Sequence, residues 1–177
     1  MKDGFSPRGF DVDRNGVAWL ALSSGHMASF DRRKCRGPLN GPTATGQHCP
    51  EGWSFWAEPL PQMKGVNTSG SAEGSYYTWV DQFNTLGLGN NIPINTGNAS
   101  EGLLALKDGQ WVVLRVPYPM GFFTKWMDGR IDDPNGGWKG RGIWTTVSTR
   151  APFHMETGKG TTSKVMKFQL RPDPLAK

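Results

Sequence analysis

Short apolar runs separated by turns rich in Gly, Pro and Asn extend along most of the chain, and they predict β-strands. Residues 9–13 alternate apolar and polar positions, and residues 17–22 form a compact apolar run. Asn15-Gly16 between them is a strong hairpin signal, because both residue types tolerate positive φ. No stretch of a dozen residues keeps the helical spacing of apolar positions without a Gly or Pro. The pattern therefore predicts an all-β fold.

The predicted strands fall into three groups. The first sixty residues contain a four-stranded antiparallel meander at 9–13, 17–22, 26–31 and 53–60. The second group has strands at 76–83, 92–95, 103–107 and 111–116. The third has them at 122–127, 142–147, 153–156 and 164–170. A second tight turn, at residues 107–110, joins two strands of the second group.

Three of the apolar runs end in a doubled proline, and this ending recurs with a regular spacing. The three segments are 53–61, 111–119 and 165–174. Their final prolines are about 58 and then about 55 residues apart, which is a spacing typical of repeat architectures. The period predicts a single domain over residues 1–177 with repeat units at approximately 4–61, 62–119 and 120–174.

The first repeat resembles a known type of propeller blade. Residues 7–21 read Pro-Arg-Gly-Phe-Asp-Val-Asp-Arg-Asn-Gly-Val-Ala-Trp-Leu-Ala, and Gly-His-Met-Ala-Ser-Phe-Asp follows at 25–31. A glycine, a turn with Asp and Gly, an apolar strand with Trp and a strand ending in Asp resemble blades of the virginiamycin B lyase-like and NHL-like families. A more distant similarity is to gluconolactonase-type propellers. The resemblance implies about three four-stranded antiparallel blades.

Three blades are too few for a closed ring, because propellers usually have 4–8 blades. An open array leaves strand edges and apolar blade faces exposed. We therefore expect either a dimer, in which two chains complete a six-bladed ring, or further blades in a parent chain. Two-fold dimers are the commonest closed assembly.

Composition excludes several other classes of protein. Eight Trp and nine Phe argue against disorder, although the chain also has 24 Gly and 13 Pro. No apolar run approaches the roughly 20 residues that a membrane helix needs, so no membrane partner is expected. The first residues lack an apolar h-region and predict no secretion signal. The net charge of +5 includes a cluster at residues 32–36, but no stacking platform accompanies it, so nucleic acid is not an expected partner.

The two cysteines leave the cellular compartment open. Cys35 and Cys49 lie 14 positions apart in a loop rich in Gly, Pro and Thr. In an oxidising compartment they would join to stabilise this loop by about 3 kcal/mol, and the parent protein would be extracytoplasmic. In a cytosol they would be free thiols.

One candidate metal site lies in the first hairpin. Asp11, Asp13 and Asn15 supply alternating oxygen ligands before Gly16, as at the start of a calcium loop. The later acidic ligand of such a loop is missing, since Leu22 stands at loop position 12. The alternative is a hairpin in which these side chains bind their own backbone.

Other acidic residues extend the set of candidate ligands for Ca²⁺ or Mg²⁺. Asp132 and Asp133 lie in a polar stretch with Asp128 and Asn135, where Arg130 can also neutralise them. Glu101 precedes an apolar strand and would point into a propeller channel if that strand were innermost. A solvated loop is the alternative for the first group.

His154 and Glu156 form the best acid–base pair in the sequence. Residues i and i+2 of a strand share a face, so the imidazole and the carboxylate would lie side by side. Histidine is suited to proton transfer near neutral pH. The alternative is a surface pair in a turn between Pro152 and Gly158.

Two functions fit these observations. The family resemblance implies a hydrolase or lyase that opens a ring ester such as a lactone, with Ca²⁺ or Mg²⁺ as cofactor and His154 and Glu156 as catalytic residues. The alternative is a propeller module that binds carbohydrate or protein through its aromatic residues, among them Trp53, Trp56, Tyr76, Tyr77, Trp79, Trp126 and Trp138. We expect the enzyme ahead of the module.

Overall fold

The computed structural model describes residues 4–44, 48–117, 122–131, 141–147 and 164–170. These residues form eleven β-strands in three antiparallel sheets of four, four and three strands. The predicted all-β fold is therefore confirmed. Within the described ranges, no helix has the length and hydrophobicity that a membrane span requires.

The first sheet is the meander predicted for the first sixty residues. Its strands, in the order β1-β2-β3-β4, are β1 Pro7–Val12, β2 Ala18–Leu22, β3 His26–Phe30 and β4 Trp53–Ala57. Gly16 closes the first hairpin with a φ of 78°. Positive φ is easy for glycine because it has no Cβ.

The second sheet also has the order of the chain. Its strands are β5 Thr78–Asp81, β6 Ile92–Gly97, β7 Gly102–Lys107 and β8 Gln110–Arg115. Asp108 and Gly109 both have positive φ and join β7 to β8, as the two-residue turn predicted there requires. The doubled prolines of the first two repeats follow β4 and β8, the last strands of their sheets.

The third sheet comprises three described strands, with β10 in the middle. They are β9 Thr124–Ile131, β10 Arg141–Val147 and β11 Lys164–Phe168. β10 pairs directly with both neighbours. The fourth strand of the predicted blade, at 153–156, lies outside the described residues.

The sheets adjoin through their first strands. β5 contacts β1 on one side and β9 on the other. An apolar core fills the space between the second and third sheets, and Ile94, Leu103, Met127 and Ile143 are almost completely buried in it. The first strands of the sheets thus lie at the junctions, and the last strands also take part, since the Trp111 indole of β8 donates to the Ala57 carbonyl of β4 at 2.8 Å.

A disulfide between Cys35 and Cys49 closes the long connection from β3 to β4. Short 3₁₀ turns at Arg32–Lys34 and Pro50–Gly52 flank it. Asp31 caps the first turn, and a bidentate contact with the Arg33 guanidinium lowers the pKa of the Asp31 carboxyl. Of the two alternatives for the cysteines, the structure contains the bonded pair.

Candidate functional site

An open cleft lies beside β4, the edge strand of the first sheet. Its volume is about 500 Å³, and its lining residues are His26, Trp53, Ser54, Phe55, Ala57 and Ser69. Trp53, Phe55 and Ala57 share one face of β4 because side chains alternate along a strand. Ser69 comes from the connection between β4 and β5. The cleft is within the size range of small-ligand sites.

Aromatic rings form the apolar part of this cleft. The Trp53 and Phe55 rings are within 12° of parallel, with centroids 6.1 Å apart. Phe30 packs against Trp53 on the inner side, with a centroid distance of 4.9 Å. Both cleft rings are only partly buried, because β4 has no neighbouring strand beyond it among the described residues.

Polar side chains lie next to these rings. His26 is buried under the cleft, and its Nδ1 lies 3.0 Å from the Ser24 hydroxyl, which is also buried. Ser24 in turn accepts the Phe5 N–H. This serine is therefore held within the fold rather than presented as a nucleophile. Ser54 and Ser69 bring hydroxyl groups to the cleft wall.

Glu58 directly follows β4, the strand that borders the cleft. Its side chain is only 3% exposed, and one carboxylate oxygen accepts hydrogen bonds from Ser75 and Asn95 at 2.7 and 2.6 Å. Burial, together with the nearby Glu73 carboxylate, raises the pKa of this carboxyl to about 7, against the lowering effects of its hydrogen bonds to Asn95 and Ser75 and of Arg8. Glu58 thus joins the first sheet to the second.

Glu73 forms a second buried carboxylate centre close to Glu58. It accepts the backbone N–H groups of Gly74, Ala99 and Ser100, and the Ser100 hydroxyl as well. These donors belong to the segment before β5 and to the turn between β6 and β7. Glu73 therefore fixes this turn to the loop that borders the cleft.

Two of the three predicted ligands in the first hairpin, Asp11 and Asp13, accept hydrogen bonds from protein groups. The Asp13 carboxylate accepts N–H groups from Asn15 and Val17 and the indole N–H of Trp19. The Asp11 carboxylate accepts the N–H of Val80 on β5 at 2.9 Å. The Asp13 carboxylate thus caps the turn, and the Asp11 carboxylate links the first sheet to the second.

The other predicted site residues are dispersed or lie outside the description. Glu101 lies in the turn before β7, which is the third strand of its sheet. Asp132, Asp133, His154 and Glu156 fall outside the described residues. Within the described ranges, no group of three or more His, Cys, Asp or Glu side chains could hold a metal ion. The described residues therefore do not form a fitting site for Ca²⁺ or Mg²⁺.

The sequence reasoning named Trp53 but missed Phe55, His26 and Ser69 as cleft residues. The sequence does contain a pattern that predicts Phe55. Trp53 and Phe55 are two positions apart in a strand that ends before a doubled proline, so their rings lie on one face of an edge strand. Ser69 carried no such signal, because its position depends on how the connection to β5 folds back over β3.

The similarity of this chain to known proteins is structural. No family model and no curated protein matches the sequence. The structure is similar to selenomethionine-substituted virginiamycin B lyase from Staphylococcus aureus, with 14% identity and a TM-score of 0.48, over 98% of this chain and 43% of that one. A catalytically inactive variant of that lyase with quinupristin matches with 13% identity and a TM-score of 0.44, over 97% and 43%. The chain thus spans less than half the length of these lyase chains.

Proposed function

We propose that this chain is a carbohydrate-binding module and that the cleft beside β4 is its binding site. The observation that supports this proposal is the pair of nearly parallel, half-buried rings of Trp53 and Phe55 on one face of an edge strand. The C–H face of a sugar ring packs on aromatic rings, and the hydroxyl groups at its rim need polar partners.

The polar groups at the cleft fit such a ligand. Ser54 and Ser69 line the cleft together with His26, and hydroxyl groups can both donate and accept hydrogen bonds. None of the cleft-lining residues is a carboxylate or a permanent cation. A neutral saccharide therefore suits this cleft better than a charged ligand.

The test uses neutral oligosaccharides, namely β-1,4-linked glucose, N-acetylglucosamine and xylose oligomers, with binding measured by isothermal titration calorimetry. We expect Trp53→Ala to weaken binding at least about tenfold, which corresponds to about 1.4 kcal/mol. Trp126→Ala is the matched control, because Trp126 is also a partly exposed strand tryptophan but lies on the third sheet. Unchanged binding by Trp53→Ala, or no binding of any oligosaccharide, would contradict the proposal.

A metal-assisted hydrolase or lyase acting on a ring ester is the second candidate. One observation favours it. Burial raises the pKa of Tyr77, and the nearby carboxylates of Asp11 on β1 and Asp128 on β9 raise it as well. Acidic groups from two sheets therefore lie near Tyr77, and Asp128 is close in sequence to Asp132 and Asp133. His154 and Glu156 would be its acid–base pair.

Lactone hydrolysis with and without EGTA tests the second candidate. We expect a true metal-dependent activity to disappear on chelation and to fall strongly in His154→Ala and Asp132→Ala. Hydrolysis that persists in EGTA would exclude the role of Ca²⁺. Absence of hydrolysis, together with oligosaccharide binding, would leave the binding module as the function.

A further inference from the structure

Glu58 occupies the junction between the first and second sheets. Its backbone N–H donates to the Gly25 carbonyl in the β2–β3 turn at 3.0 Å. Its side chain reaches the other way, to Ser75 just before β5 and to Asn95 on β6. A single residue therefore connects the two sheets through its backbone and its carboxyl group.

The two carboxyl oxygens of Glu58 have different environments. Oε1 accepts both hydrogen bonds, from the Ser75 hydroxyl and the Asn95 amide. Oε2 is buried and has no hydrogen-bond partner among the described residues. An ionised carboxylate needs partners for both oxygens, and a bare buried oxygen is costly. This environment favours the protonated acid.

The charged and titratable groups around Glu58 come from three elements. Glu73, in the segment before β5, carries a like charge, and Arg8 of β1 carries the opposite charge. Arg8 donates to the Ser75 carbonyl at 2.7 Å, so it is held near the junction without contacting the carboxyl group. His26 on β3 is in register with Ala57, the residue before Glu58. Burial is the largest effect and acts against ionisation.

We propose that Glu58 makes the packing of the first sheet against the second pH-sensitive, tight while its carboxyl is protonated and weaker once it ionises. The Asn95 amide reinforces this dependence. Asn95 accepts the Thr78 hydroxyl at 2.5 Å and donates to Glu58, so a change at Glu58 acts on both β5 and β6. This proposal does not depend on the ligand of the cleft.

The direction of the effect follows from proton linkage. The carboxyl has an ordinary pKa of 4.5 and a pKa of about 7 in the folded protein. Between about pH 4.5 and about pH 7, the Glu58 carboxyl is therefore protonated in the folded state and ionised in the unfolded state. Its contribution is fully present below about pH 4.5 and is lost as the pH rises to about 7. Over this window the folding equilibrium constant falls by roughly two to three orders of magnitude, since the two pKa values differ by about 2.5.

Two measurements test the proposal. The first follows the Glu58 side-chain carboxyl by ¹³C NMR against pH in the whole chain, with assignment from Glu58→Gln. The second is urea unfolding between about pH 4.5 and about pH 8 for the wild type, Glu58→Gln and Asp108→Asn. In Glu58→Gln, the amide oxygen can still accept from Ser75 and Asn95. Asp108→Asn is the control, since it removes a carboxyl from an exposed turn.

We expect the Glu58 carboxyl to titrate with a midpoint near pH 7. The free energy of unfolding of the wild type should fall as the pH rises. Asp108→Asn should show the same fall, and Glu58→Gln should not. A wild-type midpoint below about 5 would overturn the proposal. Equal pH dependence in the wild type and Glu58→Gln would overturn it as well. If Glu58→Gln does not fold, the carboxyl resonance can be assigned through selective glutamate labelling, and its midpoint alone decides.

Discussion

Asn98 and Thr124 form a reciprocal pair of hydrogen bonds between the second and third sheets. The Asn98 Oδ1 atom accepts the Thr124 N–H at 2.8 Å, and its Nδ2 atom donates to the Thr124 carbonyl at 2.9 Å. Both residues are buried. The side-chain amide thus replaces a neighbouring strand for the first residue of β9, and it holds the start of the third sheet against the β6–β7 turn.

Removing this amide should be costly. Asn98→Ala would leave the buried N–H and C=O of Thr124 without these partners, and each unsatisfied group costs roughly 1–3 kcal/mol. We expect a loss of about 3 kcal/mol in the free energy of unfolding, measured with urea. Gln82→Ala removes an exposed bond to the Val12 carbonyl and should cost less than about 1 kcal/mol. Equal losses in both variants would contradict this view of the pair.

Gly129 allows the third sheet to approach the second. A Cβ atom at this position would overlap the indole ring of Trp79, so Gly129→Ala requires the ring to move. We expect Gly129→Ala to lose about 1–3 kcal/mol of stability by overpacking, as measured by urea unfolding. Trp79→Phe should reduce this loss in a double-mutant cycle. Gly37→Ala is the control, because a Cβ there meets no atom within 4 Å.

The disulfide should contribute strongly to stability. Cys35 and Cys49 lie 14 positions apart in the sequence, and closing a loop of this size stabilises a fold by about 3 kcal/mol. The double variant Cys35→Ala/Cys49→Ala should therefore unfold at lower urea concentration. Reductant should destabilise the wild type and leave the double variant unchanged. A wild-type midpoint that reductant does not shift would contradict this prediction.

A substitution at Asp13 distinguishes a calcium loop from a hairpin that is held by its own hydrogen bonds. Asp13→Ala removes acceptors for Asn15, Val17 and Trp19, and we expect a loss of about 2 kcal/mol. Because these are internal hydrogen bonds, the loss should be the same in EGTA and in Ca²⁺. Thermal unfolding in both solutions checks this. A loss that appears only with Ca²⁺ would favour the calcium loop instead.

The predicted dimer can be tested directly by measuring the mass of the protein in solution. Phe10 and Val12 share one face of β1 and are 57% and 38% exposed, while Trp126 and Val165 are exposed on the third sheet. Covering such faces would favour a dimer or further blades of a parent chain. We expect sedimentation equilibrium to give twice the 19.5 kDa of one chain, and Phe10→Ser to weaken association. A well-folded monomer would contradict the dimer.

The strands could be predicted from the sequence because turn residues and the alternation of side chains define them locally. The turn at Asp108-Gly109 and the doubled prolines after β4 and β8 limit where strands can begin and end. Alternation then places Trp53 and Phe55 on one face. These features depend on neighbours along the chain, and that is why the first two sheets agree with the predicted order.

The contacts of the polar residues depend on segments that are distant in the sequence. Asp11 and Asp13 have the pattern of metal ligands, yet their carboxylates accept N–H groups that other parts of the chain bring to them. Glu58 and Glu73 have no motif, yet both are buried between distant segments. The role of a carboxylate depends on burial and on partners up to tens of residues away, and neither is encoded in local spacing. Local sequence therefore specifies the strands of the first two sheets, whereas packing between the sheets specifies the partners of these carboxylates.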